Sequence, residues 1–84
     1  MKCPHCDLDA HRMDVHAHLV DDHPEAMTIG RDGETLFFEM SCPICDEHVK
    51  ETLKKRASML AGYEREIRMV AFDLLLYHVQ EKHP

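Results

Sequence analysis

The sequence lacks the features of a membrane or secreted protein. None of its apolar runs approaches the roughly 20 residues that a membrane-spanning helix needs. Its start, Met1-Lys2-Cys3, leaves no space for a signal peptide before the first cysteine. We therefore expect a cytoplasmic or nucleoid-associated protein in a reducing compartment, where paired cysteines serve as metal ligands more often than as disulfides.

Signatures of catalysis are also missing. The chain has only three glycines and no glycine-rich phosphate loop, no His-Glu-x-x-His motif and no Ser/His/Asp pattern. We therefore expect a protein that is not an enzyme.

Basic residues are few, and the chain is short. Sixteen acidic residues against ten basic ones give a formal net charge of -6. Affinity for a phosphate backbone depends on clustered Lys and Arg, so this balance disfavours nucleic acid as the main partner. With 84 residues, the chain has room for one small domain, whose core alone is marginal because it buries only about 60% of the unfolded surface.

One pattern of metal-ligating residues is written twice. Each copy is a Cys-Pro-x-Cys followed downstream by His-x-x-x-x-His-Pro. The first copy comprises Cys3, Cys6, His18 and His23, and the second comprises Cys42, Cys45, His78 and His83. Two thiolates and two imidazoles form the ligand set of a closed structural zinc site, so we expect two zinc ions per chain. Two such ions cancel the charge of four thiolates, which leaves the loaded protein acidic.

The spacing within each histidine pair requires an irregular helix end. Two residues five positions apart point about 140° away from each other on a straight helix. Pro24 and Pro84 each follow the second histidine of a pair and end the helix there, because the residue before a proline avoids the helical region. The sequence predicts that the last turn loosens and that His23 and His83 swing round to the metal.

Other ligand arrangements stay open at this point. All four cysteines could share one metal, as in a zinc ribbon, or pair as disulfides. Mixed ligation could use one of the spare histidines, which are His5, His11, His16 and His48. Of these, His16 lies two residues from His18 and could replace it.

Local patterns predict both helix and strand. Apolar residues near helical spacing predict a helix from about Asp9 to Asp22. The turn Arg31-Asp32-Gly33 between two short apolar stretches predicts a β-hairpin of residues 26–29 and 35–41. From Asp46, a candidate N-cap, almost every residue is a good helix former, which predicts helical structure over residues 46–78.

The first copy resembles the two-Cys/two-His zinc finger family, whose pattern is Cys-x(2–4)-Cys, about twelve residues, and His-x(3–5)-His. Val15 falls where that family keeps a core leucine, although eleven residues separate Cys6 from His18 and almost no first strand precedes the helix. The second copy fits only at its ends, because thirty-two residues separate Cys45 from His78. The resemblance implies nucleic-acid recognition by a helix in the major groove.

These observations predict a small α+β zinc-stabilised domain with Cys-x-x-Cys knuckles, a β-hairpin and helices. It would consist of two zinc-finger-like units, residues 1–25 and residues 26–84. In the second unit a straight helix over residues 46–78 would be about 48 Å long, too long for Cys45 and His78 to share a metal. We favour a monomer in which the helix breaks at Gly62 and forms a helical hairpin. The alternative is a swapped dimer of two antiparallel unbroken helices that share zinc.

Two functional hypotheses remain. The first is a regulatory adaptor that binds a protein partner or itself, through Phe37 and Phe38 of the β-hairpin or through an apolar stripe at heptad spacing. That stripe comprises Val49, Leu53, Leu60, Tyr63, Ile67, Val70, Leu74 and Tyr77. The alternative is a DNA-binding regulator that uses a basic face of the helical segment 47–68, formed by Lys50, Lys54, Lys55, Arg56, Arg65 and Arg68. The aspartates of the first helix would be repelled by phosphate, which favours the adaptor.

Overall fold

The computed structural model describes residues 1–83. Two helices, α1 (Arg12–Asp22) and α2 (Glu64–Lys82), pack with an antiparallel sheet of three strands, β1 (Met27–Asp32), β2 (Thr35–Ser41) and β3 (His48–Arg56). Short 3-10 helices cover Pro24–Ala26 and Ala57–Met59. This is the small α+β domain with two Cys-x-x-Cys knuckles that the sequence predicts. Pro84 lies outside the described residues, and so does its predicted role as a helix end.

The predicted β-hairpin is formed by β1 and β2. Their register runs from Met27 opposite Met40 to Asp32 opposite Thr35, and Gly33 in the turn adopts a φ of 63°, which glycine tolerates without strain. On the outer face of this hairpin, Gly30 leaves room for the Phe37 ring, which a side chain at position 30 would overlap. The inward residues Phe38 and Met40 are buried in the core.

The helix predicted from Asp46 is wrong in its first half. Residues His48–Arg56 form β3, which pairs antiparallel with β2, and Asp46 adopts a φ of 61° instead of capping a helix. The second knuckle turns the chain back on itself, because Cys42 donates its N–H to the Glu47 carbonyl at 2.9 Å. The returning segment forms hydrogen bonds with the edge of β2 that β1 leaves unpaired. This tertiary pairing outweighs the helix propensity of the Lys and Glu residues in the segment.

Residues 46–83 form neither the helical hairpin broken at Gly62 nor the unbroken helix that the swapped dimer requires. The chain returns to the knuckle through a strand and a helix instead of two helical arms. Gly62 lies just before α2 with a φ of 86°, so it serves as the left-handed residue of the turn that leads into this helix. The short 3-10 helix at Ala57–Met59 precedes that turn.

A different face of α2 from the predicted heptad stripe faces the core. The buried residues of the helix are Ile67, Ala71, Phe72, Leu75, Leu76 and Val79. Of the helical part of the predicted stripe, only Ile67 is buried. The exposed fractions of Tyr63, Val70, Leu74 and Tyr77 are 53%, 55%, 41% and 61%. Helix α2 therefore has an apolar face toward the core and a second apolar face toward solvent.

The two predicted units contribute to one hydrophobic core. Val15, Leu19 and Val20 of α1 belong to the same cluster as the buried face of α2 and the inward residues of the sheet. Two ion pairs join the helices: Arg12 with Asp73 at 2.7 Å and Arg65 with Asp21 at 3.2 Å. Within residues 1–83, no helix combines the length and apolar character needed to cross a membrane.

Candidate metal centres

The structure brings the eight predicted cysteines and histidines together in two groups. Cys3, Cys6, His18 and His23 form the first group, and Cys42, Cys45, His78 and His83 form the second. In each group the four candidate ligand atoms all lie within 4.8 Å of one another. Each group could therefore hold one metal ion, as expected for two zinc-finger-like units.

The two cysteine knuckles have the same backbone design. Cys3 donates its N–H to the Leu8 carbonyl at 2.7 Å, and Cys42 donates its N–H to the Glu47 carbonyl at 2.9 Å. In both cases the acceptor is five residues after the first cysteine. The first cysteine of each knuckle is buried in the core, whereas Cys45 is exposed. Each knuckle thus places one sulfur inside the fold and one at its edge.

The two helix ends that carry the histidines also match each other. His18 and His78 lie within α1 and α2, while His23 and His83 are the residues at which the helices end. His23 has φ and ψ of -126° and 43°, and His83 has -134° and 56°. Both residues have left the helical region, as the five-residue spacing requires. The predicted loosening of the last turn is present in both copies.

Distances within the groups fit a tetrahedral ion. In the first group, Cys6 Sγ lies 3.1 Å from His18 Nε2, and the Nε2 atoms of His18 and His23 are 3.1 Å apart. In the second group, Cys45 Sγ lies 3.3 Å from His78 Nε2, and Cys42 Sγ lies 3.8 Å from His83 Nε2. Tetrahedral zinc with its usual bond lengths requires sulfur to nitrogen separations of about 3.5 Å and nitrogen to nitrogen separations of about 3.3 Å. These four pairs differ from the tetrahedral separations by only a few tenths of an ångström.

Carboxylates hold the other nitrogen of the histidine rings. His18 Nδ1 lies 2.8 Å from Asp22 Oδ2, and His78 Nδ1 lies 3.0 Å from Glu47 Oε2. An Nδ1–H donated to a carboxylate leaves the Nε2 lone pair free for a metal, and the carboxylate raises the basicity of the ring. His23 has a weaker version of this contact, with Glu25 at 3.9 Å.

The supporting carboxylates were not identified from the sequence. The signal for Asp22 was present, because it lies four residues after His18 and so shares its helix face. The position of Glu47 depends on how β3 leaves the second knuckle, and that strand was not predicted. No spacing rule relates Glu47 to a histidine thirty-one positions away along the chain.

The pKa values of the thiols differ between the two groups. The backbone N–H of Leu8, with help from His23 and His18, lowers the pKa of Cys6 from 9.0 to about 6. The nearby Cys6 in turn raises the pKa of His18. The pKa of Cys45 is influenced most by the backbone N–H of Glu47, which lowers it, but partial desolvation and the adjacent Cys42 outweigh that effect and raise the pKa. Burial raises the pKa of Cys3.

The spare histidines lie outside the two groups. His16 was the main alternative to His18 as a ligand. Its Nε2 instead lies 2.6 Å from the Met69 carbonyl oxygen and links α1 to α2. His48 contacts Ser41 and Glu39 on the sheet. The ring of His5 lies 5.7 Å from that of His23. His11 precedes α1 and is exposed.

The alternative ligand sets are not those that the structure assembles. Each cysteine pair is grouped with its own histidines, which differs from a ribbon in which all four cysteines share one ion. All four cysteines are free thiols, so the fold contains neither of the disulfides that they could form.

The basic residues do not form the predicted helix face. Lys50, Lys54, Lys55 and Arg56 lie on β3, while Arg65 and Arg68 lie on α2. Lys50 Nζ lies 3.9 Å from Glu39 Oε1 and 4.3 Å from the centroid of the Phe37 ring, so it forms an ion pair and a cation–π contact. Arg65 is paired with Asp21. The cluster that remains exposed consists of Lys54, Lys55 and Arg56 at the end of β3.

Comparisons of this chain with protein-family models, with curated proteins and with solved structures gave no match.

Proposed function

We propose that this chain is a zinc-binding regulatory module that acts by docking to a protein. Zinc is the ion that the donor set favours, because two thiolates and two imidazoles in a tetrahedral arrangement suit it better than they suit Mg²⁺ or Ca²⁺. Native mass spectrometry of the folded chain should then find two zinc ions. A single ion per chain in fully folded protein would overturn this stoichiometry.

A structural role for zinc follows from the closed coordination. Four protein ligands around an ion leave no position for a reactive water, which catalytic zinc requires. The proposal is therefore a protein that is not an enzyme and whose zinc ions hold the fold. Binding of structural zinc contributes about 10 to 16 kcal/mol in small finger domains, which is as large as the total stability of an ordinary domain.

The observation that carries the docking proposal is the α2 stripe, which we define as Tyr63, Val70, Leu74 and Tyr77. Each of these residues is more than 40% exposed, although they lie on or directly before a helix whose opposite face is buried. Scattered exposed apolar residues are ordinary, but an aligned row along one helix face is typical of a binding surface. Met59, which is 61% exposed, extends the row beyond the start of the helix.

DNA binding is the weaker candidate. Lys54, Lys55 and Arg56 supply a small basic cluster, but the chain carries a net charge of -6 and two of the six predicted contacts, Lys50 and Arg65, are engaged with acidic side chains. So few free cations favour only weak, salt-sensitive contact with a phosphate backbone.

A photo-crosslinking amino acid at position 77 tests the docking proposal in cells that express the full chain. We expect adducts with protein from position 77 and none from position 28, an exposed site on β1. Adducts with nucleic acid, or equal adducts at both positions, would overturn the proposal.

A further inference from the structure

We propose that the partner of the α2 stripe is a second copy of this chain, packed antiparallel across a two-fold axis at Val70. This inference rests on the proposed docking function and names its partner. It differs from the swapped dimer considered from the sequence, because each chain keeps both of its own metal groups.

Three of the four stripe residues, Tyr63, Val70 and Tyr77, are spaced symmetrically about Val70, whereas Leu74 of one copy falls opposite Glu66 of the other. Tyr63 lies seven residues before Val70, and Tyr77 lies seven residues after it. Seven residues make nearly two helical turns, so the three side chains lie on one face and span about 21 Å. An antiparallel copy rotated about Val70 brings each Tyr63 against Tyr77 of the second copy. A two-fold interface requires such a self-complementary surface.

The same two-fold rotation brings opposite charges together at the ends of the stripe. Near Tyr63, the stripe borders a groove formed with β3 and the following 3-10 helix. The lining of this groove includes Lys54, Lys55 and Glu66, so its cations outnumber its one carboxylate. At the other end, Glu81 lies four residues after Tyr77 and so continues the same face. On an antiparallel copy, Glu81 falls opposite Met59, which lines the same groove as Lys54 and Lys55.

This pattern selects a second copy over other partners. The basic end of the stripe suits an acidic partner, and the acidic end suits a basic one, so a partner with a single sign of charge matches only half of the surface. Nucleic acid would meet Glu66 and Glu81 along the stripe. Asp73, the remaining carboxylate beside the row, is already paired with Arg12 of α1.

The second metal group links this surface to the fold. His78, which follows Tyr77 directly, lies 3.3 Å from Cys45 and is held by Glu47. These contacts fix the C-terminal half of α2 against the second knuckle and the start of β3. The relative positions of the two ends of the interface therefore depend on that group.

Sedimentation of the zinc-loaded full chain tests the dimer. We expect a reversible monomer–dimer equilibrium as concentration rises to about 300 µM, a range that detects even modest self-affinity.

Val70→Glu sets two carboxylates against each other at the axis and should weaken dimerisation by at least about tenfold. Met13→Glu is the matched control, since Met13 is an 81% exposed apolar residue on α1. It should leave the equilibrium unchanged, and circular dichroism with zinc counting shows that each variant is folded.

Charge reversal tests the antiparallel register. The double variant Lys54→Glu, Lys55→Glu and the single variant Glu81→Lys should each dimerise about three to ten times more weakly, because like charges then meet at both ends. In an equimolar mixture of the two variants, every end again pairs opposite charges. Heterodimers should therefore form with close to wild-type affinity. A mixture in which both variants stay monomeric would overturn the antiparallel register.

Failure of the dimer is distinguishable from failure of the docking function. A wild-type chain that stays monomeric throughout, or a dimer indifferent to Val70→Glu, overturns the second copy as partner. If position 77 still crosslinks to another protein in that case, the docking function stands and its partner is a different chain. If position 77 yields no protein adduct, the docking function falls with the dimer.

Discussion

His18 and His78 each lie between a thiol on one side and a carboxylate on the other. The Nε2 atoms face Cys6 and Cys45, while the Nδ1 atoms face Asp22 and Glu47. This arrangement fixes both the tautomer and the ring orientation before a metal arrives, and it removes part of the entropy cost of assembling the site. Asp22 and Glu47 thus do more than add negative charge, because they orient the histidines of the two candidate metal groups.

Removing the carboxylate behind His18 should weaken the first group selectively. We expect Asp22→Ala to lower the zinc affinity of that group by about 10 to 100-fold, because the ring loses its orienting acceptor. Competition with a coloured chelator measures this, and the second group serves as an internal reference. Asp14→Ala, which removes an acidic residue from the first turn of the same helix, should have little effect. Equal losses in the two variants would mean that general helix stability, and not the Asp22 contact, sets the affinity.

The lowered pKa of Cys6 predicts a pH dependence of stability. Its pKa falls from 9.0 to about 6 on folding, so the folded state favours the thiolate. A depressed acidic pKa contributes stability that is complete above the unfolded value and is lost as pH falls through the folded value. The urea midpoint of the zinc-loaded chain should therefore decrease as pH falls from 9 to about 6, in the same direction as the pH dependence of zinc binding, which requires the thiolate. A midpoint that is level across this window would contradict the role of the Cys6 thiolate.

At the scale of elements, the fold could be predicted where the pattern was local. Helix α1, the β1–β2 hairpin and the irregular ends at His23 and His83 all follow from apolar periodicity, turn residues and ligand spacing. Strand β3 could not be predicted in this way, because its Lys and Glu residues favour helix in isolation. Its strand conformation comes from the free edge of β2 and from the knuckle that reverses the chain, both of which are tertiary features. The knuckle itself was the missed signal, since it forms the hairpin loop between β2 and β3.

Gly62 marks the junction between the sheet and α2. Its φ of 86° is in the left-handed region, and a side chain there would meet nothing within 4 Å. Gly62→Ala should therefore lower the free energy of unfolding by about 1 kcal/mol through backbone strain alone. Gly62→Asn should cost less, because asparagine tolerates this conformation. Urea denaturation followed by circular dichroism measures both, with Ala61→Ser as a neutral neighbour. An alanine variant as stable as the wild type would show that the turn relaxes to another conformation.

At the scale of the whole molecule, the ligands were easier to predict than the surfaces. Cysteine and histidine at fixed spacing restrict the chemistry strongly, so both donor groups could be named from the sequence. The heptad pattern in α2 was also real, but periodicity does not indicate whether a stripe faces the core or solvent. That outcome was decided by the broader apolar face containing Phe72 and Leu76, which are fully buried. The stripe that remained exposed became the candidate binding surface.

The acidic surface predicts weak binding to duplex DNA. We expect fluorescence anisotropy to detect at most a salt-sensitive interaction that disappears toward physiological ionic strength, because few phosphates can be neutralised. Lys54→Glu combined with Lys55→Glu should abolish what remains. Nanomolar affinity at physiological salt would contradict the adaptor function and would make the exposed end of β3 the first surface to map.

Removal of zinc should unfold the whole chain in one transition. Cys3 and Cys42 lie in the same buried cluster as Leu19 of α1 and Phe72 of α2, so neither metal group has a core of its own to leave intact. The apparent contribution of a structural zinc ion, about 10 to 16 kcal/mol, is as large as the stability of a typical domain. The free energy lost with either ion should therefore exceed the stability that the shared core supplies. During titration with a chelator, the helical circular dichroism signal should fall in parallel with the release of zinc from both groups. Release of one ion while the helical signal persists would show instead that the two units fold independently.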